Sequence, residues 1–472
     1  MQTECEQGTF EFQGLKNRAV EAAFDGGRIT SDGGGLLLRE VEERCGIIRQ
    51  FAACFEDHRA PEFTEHTVGE LVAQRVYALA LGYEDLNDHD RLRCDALLGV
   101  LAGKADPTGE DRIRERDRGK ACAGKSTLNR MELTPKGASG ADRYKKIALD
   151  EEAANRFFVE VFLQAHEEPP TRIVLDLDAT DDPVHGEQEG RFFHGYYDEY
   201  CYLPLYIFCG DDLLCARLRP SNIDASAGSK EELERIVAQI RARWPEVEIW
   251  IRGDSGFCRE EIMAWCEGQD NVHYILAMGK NSRLLEEIEA EREQARQMYE
   301  ETGEAVRVFK DFFYQTRESW SRQRRMVAKA EHLSKGANPR FVVTSLGREF
   351  DARTIYEDHY CARGEMENRI KEQQMDLFAD RTSTAHLWSN QVRLWFSSVA
   401  YTLMQAFRRS ALKGTEMAEA TCGTIRTKLL KIGAYVKMTV RRIRLHLAGG
   451  YPFRELFTTI YNRLRQWRPL RC

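Results

Sequence analysis

The sequence contains no C-x-x-C pair, although it has thirteen cysteines, an odd number. Cys201, Cys209 and Cys215 lie among apolar residues that resemble strands, where free thiols behave as small hydrophobic side chains. This usage excludes a zinc knuckle and argues against a disulfide frame. It indicates a reducing compartment.

Long apolar runs are also lacking. None approaches the ~18 to 20 residues needed to cross a bilayer. Residues 1–6 have neither the positive region nor the apolar core of a signal peptide, and the chain has no internal repeat or low-complexity segment. We therefore expect a soluble cytoplasmic protein without a membrane partner. Its 472 residues, 42% of them hydrophobic, suffice for two to four domains.

Charge is distributed unevenly along the chain. The net charge is −8, yet residues 401–472 carry fifteen Lys or Arg against three Glu, a net +12, so residues 1–400 carry −20. A basic tail on an acidic body indicates a polyanionic partner for the tail. The alternative is that the tail pairs with the acidic surface of its own chain.

Residues Gly119 to Ser126 match G-x-x-x-x-G-K-[ST], the phosphate-binding loop of nucleotide hydrolases. That loop works only between a buried strand and a helix, and residues 111–118 contain a single apolar side chain. They cannot form a central parallel strand, which would be an apolar run. We therefore expect no ATP site, and predict a polar connection in which Ser126 caps a short helix starting near Leu128.

The middle of the chain alternates strands and helices. Its pattern predicts the order β β β α β α β, followed by a later strand and a long helix. The predicted elements are strands 172–178, 202–208 and 213–218, helix 230–244, strand 247–251, helix 259–267, strand 272–278, strand 341–345 and helix 351–376. This order indicates an α/β fold with a ribonuclease-H-like core, in which the fourth strand pairs in parallel with the first through a right-handed crossover.

That topology predicts that two carboxylates lie close together. Asp178 ends the first strand and Asp254 directly follows the fourth, so both are expected at one edge of the sheet. Alternation along the first strand places Asp176 on the same face as Asp178, which makes Asp176 the reserve candidate. The alternative for Asp178 and Asp254 is that each is an ordinary turn residue.

A third set of polar residues lies on the long helix. Tyr360, Arg363, Glu367 and Lys371 are spaced by three, four and four residues, which predicts one shared helical face. A tyrosine and a carboxylate between two cations suit a site that holds a metal beside phosphates. The alternative is a solvated face with two i,i+4 ion pairs.

Several stretches together resemble the DDE-type transposases of bacterial insertion sequences, in the group whose third acidic residue lies in a Y-x2-R-x3-E-x6-K signature. These stretches are residues 175–180, 185–190, 218–222, 251–257 and 363–372. The resemblance covers nearly the whole chain. Gln374 stands where the signature has lysine, and Lys371, one turn earlier, is the candidate for that role.

The resemblance implies a β-rich insertion between the second Asp and the Glu, and a DNA-binding helical region that includes the P-loop-like stretch. The domains predicted in this way are a helical N-terminal DNA-binding region 1–165, the first part of the core 166–283, the insertion 284–340, the second part of the core 341–412 and a basic C-terminal region 413–472.

The predicted function is metal-dependent DNA transposition. Asp178, Asp254 and Glu367 are the expected catalytic residues and ligands of two Mg²⁺ (or Mn²⁺) ions. Tyr360, Arg363 and Lys371 are expected to bind DNA. The expected partners are the double-stranded terminal inverted repeats and target DNA, with a homodimer on DNA and a nucleoid-associated location. A nuclease of the same fold that lacks strand transfer and a catalytically dead DNA-binding relic remain as alternatives.

Overall fold

The computed structural model describes residues 8–467. The N-terminal stretch without signal-peptide features and the last arginines of the basic tail, Arg468 and Arg471, lie outside the described residues. Within residues 8–467, no helix is both long and apolar enough to span a membrane.

The described chain is a mixed α/β protein. Its strands are β1 Phe10–Leu15, β2 Arg18–Ala22, β3 Ile29–Thr30, β4 Phe55–Asp57, β5 Ile147–Leu149, β6 Arg172–Ala179, β7 Asp182–Pro183, β8 Phe192–His194, β9 Glu199–Tyr202, β10 Leu205–Cys209, β11 Asp212–Arg217, β12 Glu248–Gly253, β13 Val272–Met278, β14 Val306–Tyr314, β15 Arg324–Leu333, β16 Gly336–Ala337, β17 Arg340–Thr344, β18 Ala434–Thr439 and β19 Arg442–Leu447. Its α-helices are α1 Gly35–Cys45, α2 Ile47–Ala52, α3 Val68–Ala80, α4 His89–Leu92, α5 Ala96–Leu101, α6 Lys125–Glu132, α7 Glu151–Gln164, α8 Ser229–Arg243, α9 Glu260–Glu267, α10 Ser282–Glu287, α11 Glu289–Thr302, α12 Ala352–Thr354, α13 Gly364–Leu377, α14 Leu387–Phe407, α15 Cys422–Ile425 and α16 Arg454–Gln466.

A central mixed sheet organises the molecule, with strand order β11-β10-β6-β12-β13-β17-β15-β14. Strand β12 runs parallel to both β6 and β13, and the other neighbours in this order are antiparallel. The predicted strands and helices occur in the predicted order, with three further short strands, β7, β8 and β9, between β6 and β10. The parallel pairing of β6 with β12 is confirmed as well.

One predicted strand boundary is wrong. The stretch expected to form a single strand from Tyr202 divides at Pro204, so that β9 ends at Tyr202 and β10 begins at Leu205. Proline has no N–H to donate to a sheet ladder and is therefore confined to strand ends and edges. The division lets β9 pair with β8 while β10 pairs with β6.

The stretch 284–340 extends this sheet. Strands β14 and β15 pair with each other, and β15 pairs with β17, so they continue the sheet past the core strands. Helix α11 packs against both added strands. The insertion is therefore part of the same sheet, at the end opposite β11.

The N-terminal and C-terminal regions share one hydrophobic core, in which α14 is almost entirely buried. The glycine-rich turn at residues 31–35 lies against the C-terminal region, where the Gly34 N–H donates to the Leu430 carbonyl over 3.1 Å. A Cβ on Gly34 would lie 1.9 Å from the Leu429 carbonyl oxygen, so only glycine fits there. The domain boundaries stay predictions.

The P-loop-like stretch lacks the preceding strand that a phosphate-binding loop requires. The described chain between α5 and α6 contains a short 3₁₀ turn, Glu115–Asp117, and no strand. The prediction that Ser126 caps a helix near Leu128 is wrong, because α6 begins at Lys125 with Gly124 at its N-cap. The Lys125 N–H donates instead to the Asp90 carboxylate over 3.1 Å, so a neighbouring helix supplies the acceptor.

Candidate active site

Asp178 and Asp254 lie side by side at one edge of the sheet. In the parallel pairing of β6 with β12, Leu177 is opposite Gly253, so the following residue of each strand is the aspartate. The Asp254 carboxylate accepts the Gly256 N–H over 2.8 Å at the start of a 3₁₀ turn, which fixes its orientation. The predicted convergence of these two residues is thus present in the structure.

The environment of Asp178 disfavours its charged form. Its side chain is only 16% exposed, and burial is the main reason why its pKa rises to about 7. The nearby charges of Asp254 and Glu367 raise this pKa further, while Arg363 opposes the rise. The three predicted carboxylates therefore share one electrostatic neighbourhood, and such raised values are typical of functional sites.

The long helix predicted over 351–376 is continuous but irregular. A π-helical turn, Ile355–Tyr360, and a 3₁₀ turn, Cys361–Arg363, precede α13. Tyr360 and Arg363 therefore lie on these turns, whereas Glu367 lies on the regular helix. Departures from α-helical geometry of this kind occur frequently at functional sites.

Arg363 bridges two of the carboxylates. Its Nη2 donates to Glu367 Oε1 over 3.0 Å, and its Nη1 lies 3.6 Å from Asp178 Oδ1. That Nη1 atom is buried and makes no hydrogen bond within the described chain. The i,i+4 pair of the solvated-face alternative is present, but the Arg363 side chain is only 15% exposed, so this face is not simply solvated.

Tyr360 lies close to the same group. Burial raises the pKa of its hydroxyl, and Arg363 and Asp254 are the nearest charges that act on it. Its ring packs against Tyr356, with 5.6 Å between ring centroids. Tyr360 is therefore placed beside Arg363 and Asp254, as its spacing predicted.

Lys371 is the one predicted site residue that the structure does not bring into contact with the three carboxylates. It is exposed on α13 one turn beyond Glu367, and no carboxylate of residues 8–467 pairs with it. Gln374, which stands at the lysine position of the signature, donates its amide to the Asp181 carbonyl over 3.1 Å. Gln374 thus ties α13 to the chain that follows β6.

Asp176, the reserve candidate, is engaged in another contact. It faces Arg252 across the β6–β12 pairing, and the arginine donates to both carboxylate oxygens, with Nη2 2.7 Å from Oδ2. Arg252 also donates to the His359 carbonyl, just before Tyr360. Sequence reasoning missed Arg252 as the residue that ties β12 to the irregular helix, although its position two residues before Asp254 was a usable signal.

Sequence reasoning also missed Tyr197. Its hydroxyl donates to the Ala179 carbonyl over 3.4 Å, next to Asp178. The available signal was the concentration of aromatic residues between 192 and 200.

The donor atoms suit a hard divalent cation, because Mg²⁺ prefers carboxylate oxygens. Three carboxylates, Asp178, Asp254 and Glu367, lie around the single guanidinium of Arg363, and a cation would relieve this surplus of negative charge. In residues 8–467 as placed, no three His, Cys, Asp or Glu side chains form a group able to hold a metal ion. Arg363 already contacts Asp178 and Glu367, so a cation there would compete with its guanidinium.

Comparisons with known proteins place the chain in one family, and solved structures resemble it as well. A cryo-EM structure of the piggyBac transposase synaptic complex with hairpin DNA matches 93% of this chain and 82% of that chain, at 11% identity and a TM-score of 0.42. No curated protein matches the chain. The family model described as transposase DDE domain group 1 matches residues 12–469, and the chain therefore belongs to that family of transposases.

Proposed function

We propose that this transposase cleaves DNA at transposon ends and joins them to target DNA, with Asp178, Asp254 and Glu367 as ligands of two Mg²⁺ or Mn²⁺ ions. The observation that carries the proposal is the position of Asp178 and Asp254, adjacent at the carboxyl ends of two parallel strands. Bound metal ions would supply an activated oxygen nucleophile and neutralise the leaving oxygen at phosphorus.

The strand order supports a ribonuclease-H-like core as the scaffold. Three neighbouring strands of the sheet, β6, β10 and β11, pair antiparallel, and β12 and β13 follow in parallel on the other side of β6. This arrangement places β6 centrally, with Asp178 at its carboxyl end. Catalytic groups on strand ends are held more firmly than groups on loops.

Arg363 and Tyr360 are proposed to position the DNA backbone. The Arg363 Nη1 atom is buried without a hydrogen-bond partner in the described chain, so its donor capacity is available to a ligand. A guanidinium binds phosphate oxygens in a bidentate manner, and the Tyr360 hydroxyl can donate to another oxygen. Lys371, exposed one turn beyond Glu367, is proposed to contact a neighbouring phosphate.

The basic tail contains a surface suited to DNA, which we call the basic face: Tyr435, Lys437, Thr439, Arg442, Arg444 and His446 on β18 and β19. The opposite side of the hairpin packs inward through Val436 and Leu445. Lys437 is directly opposite Arg444, and like charges in that position destabilise a sheet unless an anion neutralises them.

Some cations of the basic tail pair with the acidic body of the chain, and others remain available for a polyanionic partner. Arg408, Arg409 and Lys431 pair with acidic residues of the body, at Glu372, Asp212 and Asp32. Among the described residues, no carboxylate pairs with the cations of the basic face. We propose that this face binds double-stranded DNA, both terminal repeats and target, and that two transposon ends are brought together by a homodimer.

The test of the proposal is cleavage by purified protein of DNA that carries the element's own ends, with Mg²⁺ or with EDTA. We expect Mg²⁺-dependent cuts at the ends and transfer of a pre-cut 3′ end into a second DNA. Cleavage without transfer would instead identify a nuclease. DNA binding without cleavage in either Mg²⁺ or Mn²⁺ would identify a catalytically dead relic.

DNA binding by the basic face has a separate test. The triple variant Lys437→Gln, Arg442→Gln and Arg444→Gln should weaken binding and reduce the slope of log affinity against log salt by about 0.9 for each lost phosphate contact. The matched control replaces with Gln three exposed cations near strands β14, β15 and β17 of the central sheet, namely Arg317, Lys335 and Arg348. An equal slope for both variants would contradict the assignment.

A further inference from the structure

Helix α16, Arg454–Gln466, has two faces of opposite character. One face is apolar, and its residues Ile460 and Leu464 are fully buried in the core that the terminal regions share. The other face is exposed and consists of Arg454, Glu455, Thr458, Thr459, Tyr461, Asn462, Arg465 and Gln466. Amphipathic helices are common on protein surfaces, so the composition of the exposed face decides what this helix can bind.

That composition differs from an ordinary solvated face, which typically carries Glu and Lys in i,i+4 pairs. The exposed face of α16 has one carboxylate, Glu455, and no lysine. Neither Arg454 nor Arg465 pairs with a carboxylate of the described chain. One stripe, at spacings of four, four and three residues, comprises Arg454, Thr458, Asn462 and Arg465.

The side chains of this stripe match the edges of DNA bases. Arginine makes a bidentate contact with O6 and N7 of guanine, and asparagine makes one with N6 and N7 of adenine. A helix about 10 to 12 Å in diameter fits the major groove of B-DNA, which is about 12 Å wide. The major groove of double-stranded RNA is too narrow for such readout. The ligand that suits the stripe is therefore a DNA duplex.

Helix α16 is held firmly and follows the basic face in the chain. Arg463 donates to the Ala411 carbonyl over 3.1 Å, which fastens α16 to the segment after α14. Residues 448–453 connect β19 to α16, and within them the Tyr451 hydroxyl donates to the Lys428 carbonyl. This connection reaches at most ~25 Å. The basic face and α16 therefore lie within one turn of a DNA duplex, about 34 Å.

We propose that α16 reads the sequence of the transposon ends in the major groove, with Asn462 and Arg465 making the contacts to bases. This inference rests on the proposed function, in which the basic face binds phosphates. Phosphate contacts position a protein on DNA but carry no sequence information. Helix α16 adds the contacts that distinguish the transposon's own ends from other DNA.

The first experiment measures affinity for two duplexes, the transposon's own end and a shuffled duplex of the same length and composition, in EDTA to prevent cleavage. Asn462→Ala and Arg465→Ala should each lower the preference for the own end by about 5- to 150-fold, the value of one bidentate base contact. Affinity for the shuffled duplex should stay within a few-fold of wild type, which also shows that the variants are folded. The matched control is Gln294→Ala with Arg296→Ala, an exposed amide and cation on α11, and it should keep the full preference.

The second experiment identifies the groove. Each guanine and adenine of the end is replaced in turn by its 7-deaza analogue, which removes the N7 acceptor from the major groove and leaves base pairing intact. Wild-type binding should weaken at a few positions. Arg465→Ala should be insensitive at one of the guanines, and Asn462→Ala at one of the adenines. No effect of 7-deaza bases on the wild type, or the same sensitive positions in wild type and variants, would overturn the inference.

The outcomes separate this inference from the proposed function. A wild-type preference for the own end that both variants keep would mean that another part of the chain reads the sequence, and would overturn the inference alone. A wild-type protein that binds both duplexes equally would contradict recognition of transposon ends, and the inference would fail with it.

Discussion

Strand β6 carries two aspartates on one face, and each meets a different arginine. The inner one, Asp176, is gripped through both oxygens by Arg252, and that arginine also donates to the His359 carbonyl. The outer one, Asp178, lies 3.6 Å from an Arg363 nitrogen that has no hydrogen-bond partner in the described chain. Burial raises the pKa of both carboxyls, although hydrogen bonds from Arg252 oppose the rise at Asp176.

The two aspartates differ in how well their charge is compensated: Asp176 is paired with Arg252, whereas Asp178 is not fully paired. The inner pair, Asp176 and Arg252, has its hydrogen bonds made within the chain. It fixes β6 to β12 and to the irregular helix that contains His359. The outer group has a surplus of negative charge, from Asp178, Asp254 and Glu367, and its guanidinium nitrogen Nη1 makes no hydrogen bond within the described chain. Groups whose environment opposes their charged form are costly for folding, and they persist where a ligand or a reaction uses them.

The largest expected effect is the loss of catalysis in the outer group. Replacing Asp178, Asp254 or Glu367 with Ala should reduce Mg²⁺-dependent cleavage by ~10³-fold or more, the scale on which electrostatic groups at a reaction centre act. Binding to transposon ends should stay within a few-fold of the wild-type value. The measurements are single-turnover cleavage rates and end affinity for each variant.

A variant that loses end binding, or one of the three that retains cleavage, would contradict the assignment of the outer group. Asp211→Ala is a matched control: this aspartate lies between β10 and β11, pairs with Arg369 and has no place in the proposed chemistry. It should cleave at nearly the wild-type rate.

The next largest effect is a loss of stability when the ion pair between Asp176 and Arg252 is broken. Asp176→Asn leaves the Arg252 guanidinium buried and without its charged partner, and arginine cannot lose its proton to escape that cost. We expect the free energy of unfolding to fall by about 3 to 5 kcal/mol, as is typical when one partner of a buried ion pair is removed. Urea denaturation followed by circular dichroism measures this loss. Unchanged stability would mean that the inner pair is not structural.

Sequence reasoning reached the outer group and named Asp176, but it missed Arg252 as the partner of Asp176, and the reason is physical. The convergence of Asp178 with Asp254 follows from strand order and the handedness of the crossover, which a single sequence displays. The partner of Asp176 depends on the register between β6 and β12, because a shift of one residue would have turned Arg252 to the other face. The hydrophobic pattern helps to set register, but for two strands joined by a long crossover the exact register also depends on how they pack in the fold.

The same limit explains the helix. Spacing predicted that Tyr360, Arg363 and Glu367 share one face, and the structure does bring them together. It does so through π-helical and 3₁₀ turns, which the secondary-structure propensities of residues 355–363 do not predict. The aromatic residues between 192 and 200 were visible in the composition, but the contact of the Tyr197 hydroxyl with the Ala179 carbonyl could be seen only in the fold.

Substitutions of Arg363 are the third test of the contrast between the outer group and the inner pair. Arg363→Ala should lower cleavage by about 10- to 100-fold at saturating Mg²⁺ and DNA, because a misplacement of the scissile phosphate by ~1 Å is enough for such a loss. Arg363→Lys should restore little of this rate, since lysine lacks the planar fork. The free energy of unfolding should change far less than in Asp176→Asn. Cleavage close to the wild-type rate would instead reduce Arg363 to an ordinary i,i+4 pair with Glu367, worth about 0.3 to 0.5 kcal/mol.

The smallest expected effect is the dependence of stability on pH at Asp178. Its carboxyl has a pKa of about 7 when folded, well above the ordinary value near 3.8, so between these values the folded protein binds more protons than the unfolded chain. Stability contributed by the neutral carboxyl is therefore lost as pH rises from about 4 to 7. Asp178→Asn removes that loss, so the variant should match the wild type near pH 4 and exceed its free energy of unfolding at pH 8 by about 1 to 2 kcal/mol. Urea denaturation in EDTA at both pH values measures this, with the exposed Asp111→Asn reporting the effect of removing one negative charge elsewhere. If Asp178→Asn is instead less stable than the wild type at pH 8, the ion pair with Arg363 outweighs burial, and the outer group is as well satisfied as the inner one.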